Sequence, residues 1–435
     1  MKSATMKFEP YWWEDAGAPA SPPEAALPQD IDFVIVGAGL TGLSAARTLA
    51  KNGKAVLVLD AEEPGIGASS RNGGMIGGGH RMSIDDMEAR FGKATALDLL
   101  TEAHLHATDF VKDLIVEESI DCDFAETGRF RGLWHSSEYE SSARGLERLQ
   151  ALIPLEAEMV PKTRQRDQVN SDIYSGGIVF PRHGGLNPAK WVQGIMAAAR
   201  RSGALVQGHT PVTGVQLTDA GIIVETPRGN IRTGQVLVAT NGYTPSHLAA
   251  LKRRIIPVPS FIVVTEPLGE NRIKDLIPGG RMVAESRERH CYYRASPDGT
   301  RLVFGGRAAL FNAPEAVAQS ELRGLMTQIF PQLKGVGFSH SWRGRTGFTF
   351  DFLPHVGKEN GVWHAMGYSG SGNAMAPYLG HKAALLMSGD RDGETAFSRT
   401  GFPKRWWHQG SPWFLPFADL VFRARDVWTN AGRGK

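Results

Sequence analysis

The chain has 435 residues, enough for two or three domains with large cores. With 42% hydrophobic and 21% charged residues it is neither disordered nor fibrous. A net charge of +3 with no long basic run argues against a nucleic-acid partner, and two cysteines, Cys122 and Cys291, are too few for a disulfide framework or a cysteine-built metal site.

Residues 1–29 read as an irregular arm. The opening "MKSATMKFEPYWWEDAG" has no apolar run behind its lysines and is not a secretory signal. No segment is apolar over the length of a spanning helix, so a cytoplasmic protein is expected. Tyr11, Trp12 and Trp13 are expected to pack onto the body, because water is a poor place for three large rings. "DFVIV" reads as a buried strand. The helix that follows, from about Leu40 to Lys51, carries Leu40, Leu43, Ala46 and Ala50 on one face and ends at Gly53. "AVLVLD" is a second buried strand and completes a βαβ unit.

Helices are predicted over 92–118 and 138–152, and again in "WVQGIMAAARRSGA". "QVLVATNGY" reads as another buried strand. "FIVVTEPL", "CYYRASPDGTRLVFGG" and "GFSHSWRGRTGFTFDFLP" are strand-rich, the second with a hairpin turn at "SPDG". A long helix is predicted over 370–388. Nucleotide-type βαβ segments thus alternate with antiparallel stretches, which predicts two domains built by interleaving. His80, His104, His106, His183 and His355 are scattered along the chain without metal-ligand spacing, and no metal is expected.

Gly37, Gly39 and Gly42 form G-x-G-x-x-G, with Ala38, Leu40 and Thr41 between them, after a strand and at the opening of a helix. The first glycine permits the tight turn, the second lets a pyrophosphate approach the backbone, and the third lets helix and strand pack closely. Asp60 ends the second strand 18 residues after Gly42, beside Ala61, where a carboxylate accepts hydrogen bonds from a ribose diol. Glycines alone would fit any tight turn, but strand, helix and terminal acid together point to a dinucleotide. "EEPGIGASSRNGGMIGGG" follows, with Ser69, Ser70, Arg71, Asn72, Gly73 and Gly74. It reads as a surface loop or as a backbone-lined path for a longer cofactor, one ending in a flavin, and the second reading is favoured. A second glycine-rich turn, "GYSGSGNAMAPYLG", runs into the last long helix.

These segments, with "YWWEDAG", "GGLNPAKWVQGI", "VLVATNGYTP", "TEPL", "YYRASPDGTRLVFGGR" and "GSPWFLPFADLVFRARD", resemble the D-amino-acid-oxidase family of FAD-dependent oxidoreductases, in particular its gamma-glutamylputrescine oxidoreductase branch. The likeness runs nearly the whole chain in the family's order. It implies an α/β, Rossmann-like FAD-binding domain of glutathione-reductase type, interleaved with an α+β substrate domain built on an antiparallel sheet. The FAD domain is expected at 30–90, 175–250 and 340–400, the substrate domain at 91–174 and 251–339, and a tail at 401–435. The resemblance also implies FAD contacts at Val212, Thr240, Asn241 and Gly344. It places the backbone of Gly370, Ser371, Gly372 and Asn373 at the flavin's pyrimidine end, where helix N–H groups favour negative charge.

The chain departs from the family at informative places. Asn72 stands where some relatives carry a flavin-linked His, and Gly344 where others carry a flavin-linked Cys, so FAD is expected to be non-covalent. Amino-acid oxidases of the family show W-x-G-x-R, whose Arg grips the substrate carboxylate; here Trp342 and Gly344 are followed by Thr346 in that slot. Arg345 is one residue off and faces the other side of a strand unless a bulge intervenes. Ala374 replaces a Lys that assists oxygen in sarcosine-oxidase-like relatives, leaving oxygen or another electron acceptor open. The resemblance therefore implies oxidation of the C–N bond of a small-molecule amine without an adjacent carboxylate, such as a gamma-glutamyl diamine. An α-amino-acid or sarcosine-type oxidase is the alternative, and a non-catalytic FAD-binding protein the remaining one. Tyr292, Tyr293, Arg345 and Met75 are pocket candidates, with ordinary strand or core packing as the competing reading.

Overall fold

Asp30–Val36 holds the middle of the first sheet because its last four residues are apolar and need cover on both faces. In this computed structural model, which describes residues 6–431, it pairs in parallel with Val56–Leu59 and Gly229–Val238. Residues 1–5 and 432–435, the outer ends of the expected arm and tail, lie outside the described residues. The sheet order is His355–Glu359, Val362–Met366, Gly229–Val238, Asp30–Val36, Val56–Leu59, Leu205–Gln207. An antiparallel ribbon, Gly214–Thr218 and Gly221–Thr226, extends from Gly229–Val238. The helix Leu40–Lys51 is buried from Leu40 to Ala50, beyond the single face its sequence predicts, because other helices close over it.

The second sheet runs Phe338–Phe348, Ile256–Thr265, Leu302–Gly306, Cys291–Ala295, Met282–Glu285, Arg129–Gly132, Gly177–Phe180, Glu158–Val160. It is antiparallel except where Met282–Glu285 meets Arg129–Gly132. One face packs Phe130, Phe261, Val263, Tyr293 and Phe304 against the helix Glu315–Ile329. The other face looks toward the loop that follows Asp60. The "SPDG" turn closes as predicted, with the Gly299 N–H donating to the Ser296 carbonyl at 2.9 Å.

Packing redraws the interleaving. The single helix predicted over 92–118 is divided into Lys93–Thr101, a π-turn at Glu102–His106, and Ala107–Glu117, and a further helix, Ile84–Phe91, precedes it. Gly92, at φ 80°, stands between that helix and Lys93–Thr101. At the π-turn the buried Glu102 carboxylate accepts from Tyr378 Oη, Thr395 Oγ1 and the Ala396 N–H. Leu99, Ala103, Val111 and Leu114 share one core with Leu43 and Leu379, so these helices pack with the first sheet although they fall in the span expected for the substrate domain. Conversely Gly177–Phe180 and Phe338–Phe348 are strands of the second sheet. Chain position does not reveal which sheet a segment will join; apolar surface does.

Candidate FAD and substrate site

The first glycine turn is as tight as its spacing requires. Gly37 has φ 103°, and a Cβ on Gly42 would lie 2.0 Å from the Gly37 carbonyl oxygen. A Cβ on Gly39 would lie 2.8 Å from Ser69 Oγ. No side chain caps the helix Leu40–Lys51; the Leu40 N–H donates to Ser69 Oγ at 3.1 Å. Its N-terminal dipole therefore faces an open cradle of backbone, suited to phosphate. Asp60 accepts from the Ala38 N–H at 2.7 Å and the Glu62 N–H at 3.1 Å. Burial pushes its carboxyl above the usual carboxylate range, and those two N–H groups oppose the shift. Thr210, whose N–H donates to the Asp60 carbonyl at 2.8 Å, leads to the buried Val212, and a Cβ on Gly37 would touch Thr240.

The loop after Asp60 is held from both ends of the chain. Trp342 Nε1 donates to the Arg71 carbonyl and Trp12 Nε1 to the Asn72 carbonyl, each at 2.8 Å. The two indoles sit edge to face, 6.3 Å between centroids. The arm's aromatics thus pack as expected, and they also fix the loop. Asn72 is committed to the protein: its amide donates to the Ala68 and Ser69 carbonyls, and its oxygen accepts from the Gly74 N–H and from Asn373 Nδ2. Asn373 also donates to the Met75 carbonyl at 3.1 Å. A Cβ on Gly344 would meet the Arg71 side chain at ordinary contact distance.

The second glycine turn reaches the same place. Gly370 has φ 110° with open space where a Cβ would be, and Ser371 gives no side-chain cap to the helix Gly372–Met387. That helix crosses Leu40–Lys51 so closely that a Cβ on Gly380 would lie 2.3 Å from the Thr41 carbonyl oxygen. Thr41 Oγ1 and Tyr368 Oη share a hydrogen bond at 2.6 Å, and Ser44 Oγ donates to the Pro377 carbonyl. Asn241, at φ 44°, accepts from the Gly367 N–H and anchors the turn. Ser70 Oγ and Asn373 Oδ1 are buried without a hydrogen-bond partner. Such atoms are costly unless a ligand satisfies them. Two uncapped helix N-termini, a glycine cradle and these two orphaned oxygens fit FAD.

The roof separates the pocket candidates. Tyr292 lies on the inward face, its ring against Gly73 and Gly305 and its hydroxyl 3.1 Å from Ser260 Oγ. Burial raises its phenol to about 12. Tyr293, its neighbour, points the other way into the core, hydrogen-bonded to Tyr174 Oη at 3.0 Å, and does not line the site. Alternation along a strand makes that split unavoidable. Arg345 is exposed on the opposite face from Thr346, with its guanidinium 5.5 Å from the Tyr243 ring centroid. The register is continuous there, Val258 to Thr346 and Pro259 to Arg345, and the one shift in this pairing lies at Val264 and Thr265. No bulge restores the Arg.

Several contributors were hidden from sequence. His290 lies 6.1 Å from the Tyr292 ring, Arg81 and Arg307 flank Phe348, and Arg81, Arg131 and Arg307 all act on His290, from separate segments with no shared motif. His80, His104 and His183, far apart in the chain, lie in one buried region near Arg129; burial lowers all three, His104 to about 3. Among the described residues no His, Cys, Asp and Glu group has metal-binding geometry. No described helix is long and apolar enough to cross a membrane.

A parallel sheet with two glycine turns converging on a roofed cradle defines a flavin-dinucleotide oxidoreductase. Residues 32–386 match the family described as DAO, FAD dependent oxidoreductase, and the chain belongs to that family. It is 30% identical over 371 residues to gamma-glutamylputrescine oxidoreductase of Escherichia coli, covering 84% of this chain and 86% of that protein. It is likewise 30% identical over 388 residues to "probable oxidoreductase OrdL" of Haemophilus influenzae, covering 86% of each. In fold it is similar to glycine oxidase from Geobacillus kaustophilus, with TM-score 0.70, 21% identity, and 87% of this chain and 99% of that one covered.

Proposed function

We propose that this FAD enzyme oxidises the C–N bond of an amine that lacks an adjacent carboxylate, with a gamma-glutamyl diamine as the preferred class. The observation that carries the reading is Thr346. It occupies the slot where a carboxylate-gripping Arg would stand, and unbroken pairing with Val258 leaves Arg345 on the far face. A threonine offers one hydroxyl, not two parallel N–H donors. The 30% identity to gamma-glutamylputrescine oxidoreductase supports the same class.

FAD, when bound, supplies the hydride acceptor, and the protein supplies position and electrostatics. The uncapped N-terminus of Gly372–Met387 would favour negative charge at the ring's edge. Tyr292, with its phenol near 12, stays protonated at neutral pH and positions rather than abstracts protons. The two free, buried cysteines support a cytoplasmic setting.

The test is anaerobic flavin bleaching by matched pairs, an amine and its α-carboxylated analogue. The amine is expected to reduce the flavin faster. An α-amino acid that reduces it as fast or faster would return the enzyme to the amino-acid-oxidase class.

A further inference from the structure

Three guanidinium groups converge on the inward face of the second sheet, beyond Thr346. Arg131 is in register with Ala284, Ala284 with Tyr292, and Tyr292 with Gly305, so these side chains share one face across four strands. Arg307 follows the last of those strands. Arg81 follows the glycine tract that leads out of the clamped loop. The Arg81 and Arg307 guanidinium carbons lie 5.6 Å and 5.3 Å from the centroid of the Phe348 ring. Phe348 sits next to Gly347, whose carbonyl accepts from the Ser369 N–H at 3.0 Å. The cluster therefore adjoins the second glycine turn.

None of the three arginines makes an ion pair within 4 Å among the described residues. The Arg307 guanidinium donates to the Glu288 carbonyl at 3.3 Å. The carboxylates that attract them lie beyond ion-pair distance: Glu288, which also faces Arg425 at 3.6 Å, acts on Arg81 and Arg307, and Glu138, which accepts from Ser286 Oγ, acts on Arg131. Arg287 and Arg254 are matched, to Glu285 and Glu359, each at 2.6 Å, whereas the buried Arg294 is held by the Gly74, Leu186 and Ala295 carbonyls. The surrounding protein lowers Arg81, Arg131 and Arg307; Arg131 repels Arg81 and Arg81 repels Arg307, while Glu288 opposes the shift at Arg81 and Arg307 and Glu138 at Arg131, and Arg307 falls to about 10. Arg81 and Arg131 are exposed and Arg307 is half-buried, so the cluster opens to solvent, and like charges gathered on one wall of a recess attract an anion there.

We propose that Arg81, Arg131 and Arg307 form a subsite for a carboxylate at the far end of the substrate, so that the enzyme selects amines with an acidic tail. The proposal rests on the amine reading above. Geometry puts the carboxylate at a distance from the reacting carbon. The same-face steps along the strand run Gly344, Thr346, Phe348, about 7 Å each. A carboxylate held beside Phe348 is one step farther out than one held at Thr346. Planar guanidinium groups bind carboxylates through paired N–H donors, and three of them would discriminate strongly against an uncharged end.

The experiment compares the gamma-glutamyl amide of putrescine with its gamma-aminobutyryl amide, which differs by that carboxylate alone. Half-saturation of anaerobic flavin bleaching is measured for both with the FAD-loaded enzyme. The expected ratio in favour of the carboxylated amide is about 30-fold in the wild type, the scale of charge-assisted hydrogen bonding, and it falls below about 3-fold in Arg81→Gln/Arg307→Gln. Flavin absorbance reports whether the variant has folded; if it has not, the wild-type ratio decides. Both amides bleaching the flavin with a wild-type ratio below about 3-fold would overturn the subsite and leave the amine reading standing. A variant that keeps the full ratio would also overturn it. No bleaching by either amide, or by any other amine, would sink both.

Discussion

The two indoles that grip the loop after Asp60 make a measurable claim. Trp12→Phe and Trp342→Phe each keep an aromatic ring and delete one N–H that meets a carbonyl at 2.8 Å. Each leaves a carbonyl without its partner in a mostly buried place, at a cost of about 1–3 kcal/mol. The two carbonyls belong to adjacent residues, Arg71 and Asn72, and Asn72 in turn orients Gly74 and Asn373. Loosening the loop should therefore reach the cofactor. A loss of about 2 kcal/mol corresponds to roughly 30-fold in affinity. The assay titrates FAD into the flavin-free protein and follows fluorescence quenching, with thermal unfolding of the flavin-free protein measured alongside. Trp13→Phe is the internal control, because Trp13 Nε1 is buried without a hydrogen-bond partner and the Arg71 guanidinium can still stack on a phenyl ring there. The double variant should lose less than the sum of the singles, since both indoles hold one loop. If Trp12→Phe and Trp342→Phe weaken FAD no more than Trp13→Phe does, the arm merely packs and the clamp argument is wrong.

Three further outcomes are expected. Acid or heat should release all of the flavin as FAD, because Asn72 and Gly344 offer no covalent link; colour that precipitates with the protein would contradict this. Asp60→Ala should weaken FAD retention by about 1–3 kcal/mol, read by the same titration. The pH dependence has a definite sign. A carboxyl raised by burial binds its proton more readily in the fold, so the flavin-free protein loses that share of stability as pH rises from the unfolded value through the raised one. A ribose diol needs the carboxylate, so FAD affinity should fall as pH drops through the raised value. Asp60→Asn should abolish that dependence; an unchanged profile would place Asp60 away from the ribose.

The first glycine turn and its acid were legible in the sequence because their geometry is local. Gly42 must be glycine for contact with Gly37, five residues away, and a buried strand carries Asp60 back to the Ala38 N–H. The strand alternation that separates Tyr292 from Tyr293, and Thr346 from Arg345, was equally local, but not which face would look inward. That was decided by where apolar surface could be covered: the helix Glu315–Ile329 took the Tyr293 side and left Tyr292 to the cofactor loop. The pairing of Trp12 with Trp342, the bond from Asn373 to Asn72, and the meeting of Arg81, Arg131 and Arg307 joined residues from remote segments. Sequence spacing constrains a side chain only within its own strand or helix. Contacts between remote segments arise when two sheets bury their apolar faces and bring polar groups together at the seam, and only the tertiary structure decides them.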